Sequence, residues 1–215
     1  MTDLQPNAEL HKDLQPFVGK SVLGAGKSLH HPLIIQPLLE GPLIDHTNKL
    51  YLQKLEQLAQ AINTKKYQQY IWLHERPYRI EAFMRIEKNL KDPEYWSILG
   101  QVYIDSENIH EFKDEWIKLL SAKRLGSQAI MRPEDFSVYT ALGNRIKIYR
   151  GFRHMNFKKG MSWTLSKEKA QWFASRFGGT GKVTSKVIRK FDILGYLDGR
   201  GEQEILLRPD RVYKL

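Results

Sequence analysis

Between about residues 47 and 121, apolar residues recur every third or fourth position, the spacing of a helix with one buried face. Leu52, Leu55, Ala59 and Ile62 form such a stripe and predict a helix over 47–62. Further helices are predicted over 64–75, 77–90 (with Pro77 at its start), 93–103 and 107–121. Trp96, Leu99 and Tyr103 share one stripe; Phe112, Trp116, Leu119 and Leu120 share another. Residues 1–44 are rich in Pro, Gly and His, hold no period, and read as extended or loop structure. From about residue 145 the period shortens. Arg145 to Gly151 alternates polar and apolar and reads as a strand, and Gly160 to Leu165 reads as a second. Ser166 then stands as a helix N-cap, with Glu168 and Lys169 in the first turn. The helix that follows carries Ala170, Phe173, Ala174 and Phe177 on one side. A last strand begins after the Gly199-Arg200-Gly201 loop, at Glu202-Gln203-Glu204-Ile205-Leu206-Leu207. Strand side chains alternate faces, so this reading sets Glu202 and Glu204 on one face.

Two carboxylates on one strand face are ordinary at a solvated sheet edge. They are also what is needed to stabilise an oxocarbenium-like sugar and activate an incoming nucleophile. Order along the chain favours the second reading: Tyr149-Arg150-Gly151 at a strand end, Ser162-Trp163-Thr164 on a strand running into a helix, then Glu202-Gln203-Glu204. This succession resembles the mono-ADP-ribosyltransferases of the Arg-Ser-Glu class, which include many bacterial toxins. The likeness covers roughly residues 145 to 207. It departs from the family pattern at Trp163, which stands in the middle of the Ser-Thr-Ser element. The interval from Arg150 to Ser162 is also shorter than in many toxin members and suits a hairpin-like connection.

The resemblance implies NAD as substrate and assigns roles. Glu204 would bond a ribose hydroxyl and stabilise the developing cation, and Glu202 would take a proton from the acceptor or orient it. Arg150, with Gly151 beside it, would clamp a phosphate or carboxamide of NAD. Ser162 would bond the ribose or hold Glu204, and Thr164 would support the strand. Phe177 would stack on nicotinamide from the loop Arg176-Phe177-Gly178-Gly179, or else continue its helix's apolar stripe into the core. Trp163 points away from Ser162 and reads as core. The Glu-x-Glu form usually accompanies protein arginine acceptors. Other members modify RNA or DNA bases, including anti-phage toxins of toxin–antitoxin systems, which would make an antitoxin protein a partner.

Charge bears on that choice of acceptor. The net charge is +10, but residues 1–120 hold 14 Lys and Arg against 16 Asp and Glu, whereas 121–215 hold 20 against 8. Between 145 and 190 there are thirteen basic residues and one acid, Glu168. Such a field attracts polyanions, so the reading leans to RNA, with protein arginine as the alternative and a basic nucleic-acid-binding protein without chemistry as the rival. The chain has no cysteine, which excludes disulfides and thiolate metal sites and suits a reducing cytoplasm. Neither a secretory leader nor an apolar run long enough to cross a bilayer is legible, so cytoplasmic localisation and no membrane partner are expected. Gly24-Ala25-Gly26-Lys27-Ser28 mimics the end of a phosphate-binding loop, but Ser21 replaces its first glycine and no helix pattern follows. The histidines are scattered, and no metal site is expected. The fold expected is α+β: an irregular segment over 1–44, a helical subdomain over 45–137, and a small antiparallel two-sheet ADP-ribosyltransferase-like core over 138–215 carrying the NAD cleft.

Overall fold

The computed structural model describes residues 9–21, 24, 26–107, 109–176 and 178–213. The chain divides into two compact units, Met1–Leu90 and Lys91–Leu215. Both helix and antiparallel sheet are present, and the two sheets fall in different units.

The first unit holds a three-stranded sheet of β1 (Val18–Lys20), β2 (Lys27–His31) and β3 (Ile34–Gln36), in that order. Helices α1 (Pro42–Asn63), α2 (Tyr67–Trp72) and α3 (Arg79–Ile86) follow. Sequence reading leaves 1–44 irregular; the strands there are too short for an alternating pattern to register. Leu29 on β2 and Ile34 on β3 join Leu14, Leu33, Leu39 and Tyr51 in a buried cluster, which supplies the burial that the local pattern does not announce. Lys27 and Ser28 belong to β2, so no helix follows the Gly-Lys-Ser stretch as a phosphate-binding loop requires.

The second unit opens with α4 (Asp92–Asp105), α5 (Lys113–Leu120) and α6 (Pro133–Ala141). Helix α4 buries Tyr95, Trp96, Ile98, Leu99, Val102 and Tyr103, more than one stripe's worth, because it is covered on several sides. The strands are β4 (Arg145–Phe152), β5 (Ser162–Thr164), β6 (Lys182–Arg189), β7 (Ile193–Leu197) and β8 (Glu204–Leu207). They form one antiparallel sheet in the order β6-β4-β5-β8-β7. Among the described residues of 138–215 this is the only sheet, so the expected pair of sheets within that segment is not what forms. Helix α7 (Lys167–Ser175) starts as its cap predicts, with Ser166 Oγ accepting the Lys169 N–H at 3.1 Å. Strand β4 is open on one side and buries Ile146 and Ile148 on the other, whereas every residue of β7 and β8 is buried. No helix among the described residues is long and apolar enough to cross a membrane.

Candidate functional site

The strand order β4-β5-β8 sets the strands carrying Arg150, Ser162 and Glu204 side by side. Tyr149 pairs with Thr164, and Thr164 with Glu204, so these three lie in a row across the sheet. Ser162 is opposite Leu206, two residues along from Glu204, and therefore diagonal to the carboxylate on the same face.

Glu204 begins a strand that continues Ile205-Leu206-Leu207, and it is 5% exposed. A carboxylate in that setting must find donors or take up a proton. The Tyr103 hydroxyl donates to Glu204 Oε1 at 3.1 Å, and the Ser162 hydroxyl also hydrogen-bonds the carboxylate. Burial raises the Glu204 pKa above its ordinary value; the two hydroxyls and the nearby Arg200 charge pull the other way without cancelling it. Tyr103 is itself pushed well above the usual tyrosine range, by burial first and then by the Glu204 charge. The result is a buried acid–hydroxyl triad of Tyr103, Ser162 and Glu204, in which Tyr103 is a proton donor at any ordinary pH.

Glu202 differs from the sequence expectation. Strand β8 begins only at Glu204, and Gln203 takes a left-handed conformation with φ 48°, so alternation does not carry back to Glu202. Asp198 Oδ1 accepts the Gln203 N–H at 2.8 Å and holds this turn. Glu202 instead pairs with Arg200 at 3.1 Å, beside the triad, and its charge still contributes to raising Glu204. The two carboxylates are neighbours through a turn and not through strand periodicity.

Arg150 is partly buried, and desolvation lowers its pKa despite the nearby Tyr103, Tyr213 and Glu204. Its Nε donates to the Phe157 carbonyl at 2.9 Å and its Nη1 to the Ser162 carbonyl. Gly160 lies flat against the guanidinium: a Cβ there would stand 2.6 Å from Cζ. Arg150 thus ties down the connection from 155 to 162 and fixes the start of β5. Gly151 has a packing reason as well. A Cβ at that position would meet the Ala170 carbonyl oxygen at 1.9 Å, so glycine lets α7 lie directly on β4.

Thr164 Oγ1 donates to the Glu202 carbonyl at 2.8 Å and accepts the Ser166 N–H at 3.1 Å. Its hydroxyl joins the Glu202 turn to the start of α7, a supporting role. Trp163, on the alternate face, is 7% exposed, donates Nε1–H to the Gly160 carbonyl at 2.8 Å, and has the Lys186 ammonium 4.4 Å over its ring. Phe177, expected as a stacker, lies outside the described residues. Tyr103 is the functional residue that sequence reading misses: its helical stripe marks it as core, and 101 positions separate it from Glu204. The one available signal is indirect, since a Glu leading an apolar strand requires a donor from elsewhere.

No group of three or more His, Cys, Asp or Glu among the described residues is arranged to hold a metal ion. Compared with protein-family models, curated proteins and solved structures, the chain matches none.

Proposed function

We propose that the protein is an NAD-dependent mono-ADP-ribosyltransferase that modifies a nitrogen nucleophile, with RNA bases favoured as acceptor. The observation that carries this reading is the adjacency of Arg150, Ser162 and Glu204 on three neighbouring strands, with the Glu204 carboxylate buried and held by two hydroxyls. A nucleic-acid-binding protein without chemistry has no need to bury a carboxylate and orient it in this way.

NAD supplies a glycosidic bond whose leaving group, nicotinamide, departs with the bonding electron pair. Glu204, once ionised, offers a fixed negative charge in a low-dielectric setting where positive charge builds on the ribose. Tyr103 and Ser162 hold that carboxylate in one orientation, so little reorganisation is needed during the reaction. The acceptor nitrogen forms the new bond to the same ribose carbon and loses a proton, which Glu202, paired with Arg200 beside the triad, receives and passes to solvent. Arg150 keeps donors for the anionic or carboxamide parts of the dinucleotide while bracing the 155–162 connection.

The test is incubation of the purified protein with NAD labelled in its adenylate half and a cell lysate, followed by separate RNase and protease digestion. The reading expects labelled macromolecule that RNase destroys and protease leaves intact. Label removed only by protease would make a protein side chain the acceptor. Neither label transfer nor nicotinamide release would overturn the transferase reading.

A further inference from the structure

The exposed side of the β4–β6 pair, at the edge of the five-stranded sheet, carries a second feature that the transfer chemistry does not use. Arg145 on β4 stands directly opposite Arg189 on β6, and Lys147 opposite Val187, all four of them exposed. Like charges facing each other across an antiparallel pair are destabilising unless something neutralises them. This side borders an open hollow of about 670 Å³ whose lining includes Arg145, Val187, Arg189, Lys190, Phe191 and one carboxylate, Asp192. Phe191 is 59% exposed, with the guanidinium groups of Arg189 and Arg211 at 5.6 Å and 4.7 Å from its ring. The carboxylates paired with this cluster are Asp192 and Asp210, against four cations.

We propose that this face binds the backbone and one unpaired base of a single-stranded RNA, holding the acceptor strand of the transferase. The proposal rests on the transferase reading for its purpose, and on the face itself for its chemistry. Cations spaced along two paired strands suit successive phosphates, and an exposed aromatic flanked by arginines suits a base that is free to stack. A duplex would keep its bases from Phe191. Charge complementarity is the reason for choosing an anionic strand over an apolar partner, because the exposed Val187 and Phe191 are ringed by cations. Two lysines of the basic segment are otherwise engaged: Lys190 Nζ donates to the Thr140 and Leu142 carbonyls, and Lys186 covers Trp163. Lys147 Nζ lies 5.6 Å over the Tyr149 ring and Arg189 pairs with Asp192 at 3.7 Å, yet both side chains stay exposed, as does that of Arg145.

Binding of a fluorescent single-stranded oligoribonucleotide, titrated over a range of salt without NAD, tests the proposal. Arg145→Glu with Lys147→Glu is expected to weaken binding and to reduce the slope of log K against log salt by about 1.4, roughly 0.7 for each lost phosphate contact. Phe191→Ala is expected to weaken binding about tenfold or more while leaving the salt slope unchanged, as loss of a stacked base does. The duplex form of the same sequence is expected to bind more weakly and to be indifferent to Phe191→Ala. Absence of RNA binding, equal binding of the duplex, or a neutral Phe191→Ala variant each overturns the proposal. Nicotinamide release from NAD is measured on the same variants and is expected to match the unsubstituted protein. Failure of that activity in the unsubstituted protein counts against the transferase reading alone, because oligonucleotide binding is read without NAD.

Discussion

Glu204 and Tyr103 are chemically useful to each other only because both are buried. In water a tyrosine hydroxyl is a minor influence on a carboxylate; in the core it is one of the few donors that the carboxylate has. Glu204→Gln is expected to lose about 2.7 kcal/mol of transition-state stabilisation or more, on the order of 10² in the rate of nicotinamide release, since an amide offers no negative charge. An NAD hydrolysis assay checks this, and near-normal turnover would remove Glu204 from its role. Tyr103→Phe removes the hydroxyl that donates to this carboxylate. Removing a donor to the charged form raises the carboxylate pKa further, so the acid limb of the pH–rate profile should move upward. Activity well above that limb should be largely retained. A profile that merely drops at every pH, with no movement of its limb, would mark Tyr103 as structural only.

Helix α7 and strand β4 meet at a glycine because nothing larger fits. A Cβ at Gly151 would run into the Ala170 carbonyl and the Ala174 amide, and one at Gly181, just before β6, would meet the Ala174 carbonyl oxygen at 2.0 Å. Gly151→Ala is expected to push α7 off the sheet and cost about 3 kcal/mol of stability, the upper end for overpacking, because the clash is with backbone and not with a side chain that can turn away. Urea unfolding of the purified variant measures this, and an unchanged midpoint would mean that α7 can shift freely. At this scale the sequence was informative where an element had a period or a cap. The helices read over 47–62 and 93–103 form as Pro42–Asn63 and Asp92–Asp105, and the Ser166 cap and the alternation from Arg145 to Gly151 were equally legible. The short strands over 18–36 could not, because three to five residues carry too little pattern. Nor could the break before Glu204, since a single left-handed residue at Gln203 leaves no trace in hydropathy.

For the molecule as a whole, a buried carboxylate with a raised pKa opposes folding as pH rises. The folded state holds its proton to higher pH than the unfolded chain, so stability is lost between the ordinary value of 4.5 and the higher folded value. Glu204→Gln carries no such penalty. It is expected to melt at a higher temperature than the unsubstituted protein near neutral pH, with the difference closing below about pH 4. Thermal unfolding of both proteins across that range checks the sign; a variant less stable at neutral pH would mean that the ionised carboxylate is a net stabiliser. An activity loss together with a stability gain is the pattern of a group kept for chemistry and not for the fold.

What the sequence determined by itself is local and ordinal: helices where apolar residues recur with helical spacing, strands where they alternate, a cap at Ser166, a charge excess after residue 120, and the order Arg150, Ser162, Glu204. Those features depend on residues near one another in the chain, and periodicity records them. The tertiary structure decided which strands became neighbours, that residues 18–36 formed a sheet of their own, and that Tyr103 reached Glu204. It also decided that Arg150 spends two donors on its own backbone, and that Lys186 and Lys190 are engaged while Arg145 and Lys147 remain exposed. Burial and hydrogen-bond satisfaction are properties of packed surroundings, and a buried acid reveals its need for a donor without revealing which distant residue will meet it.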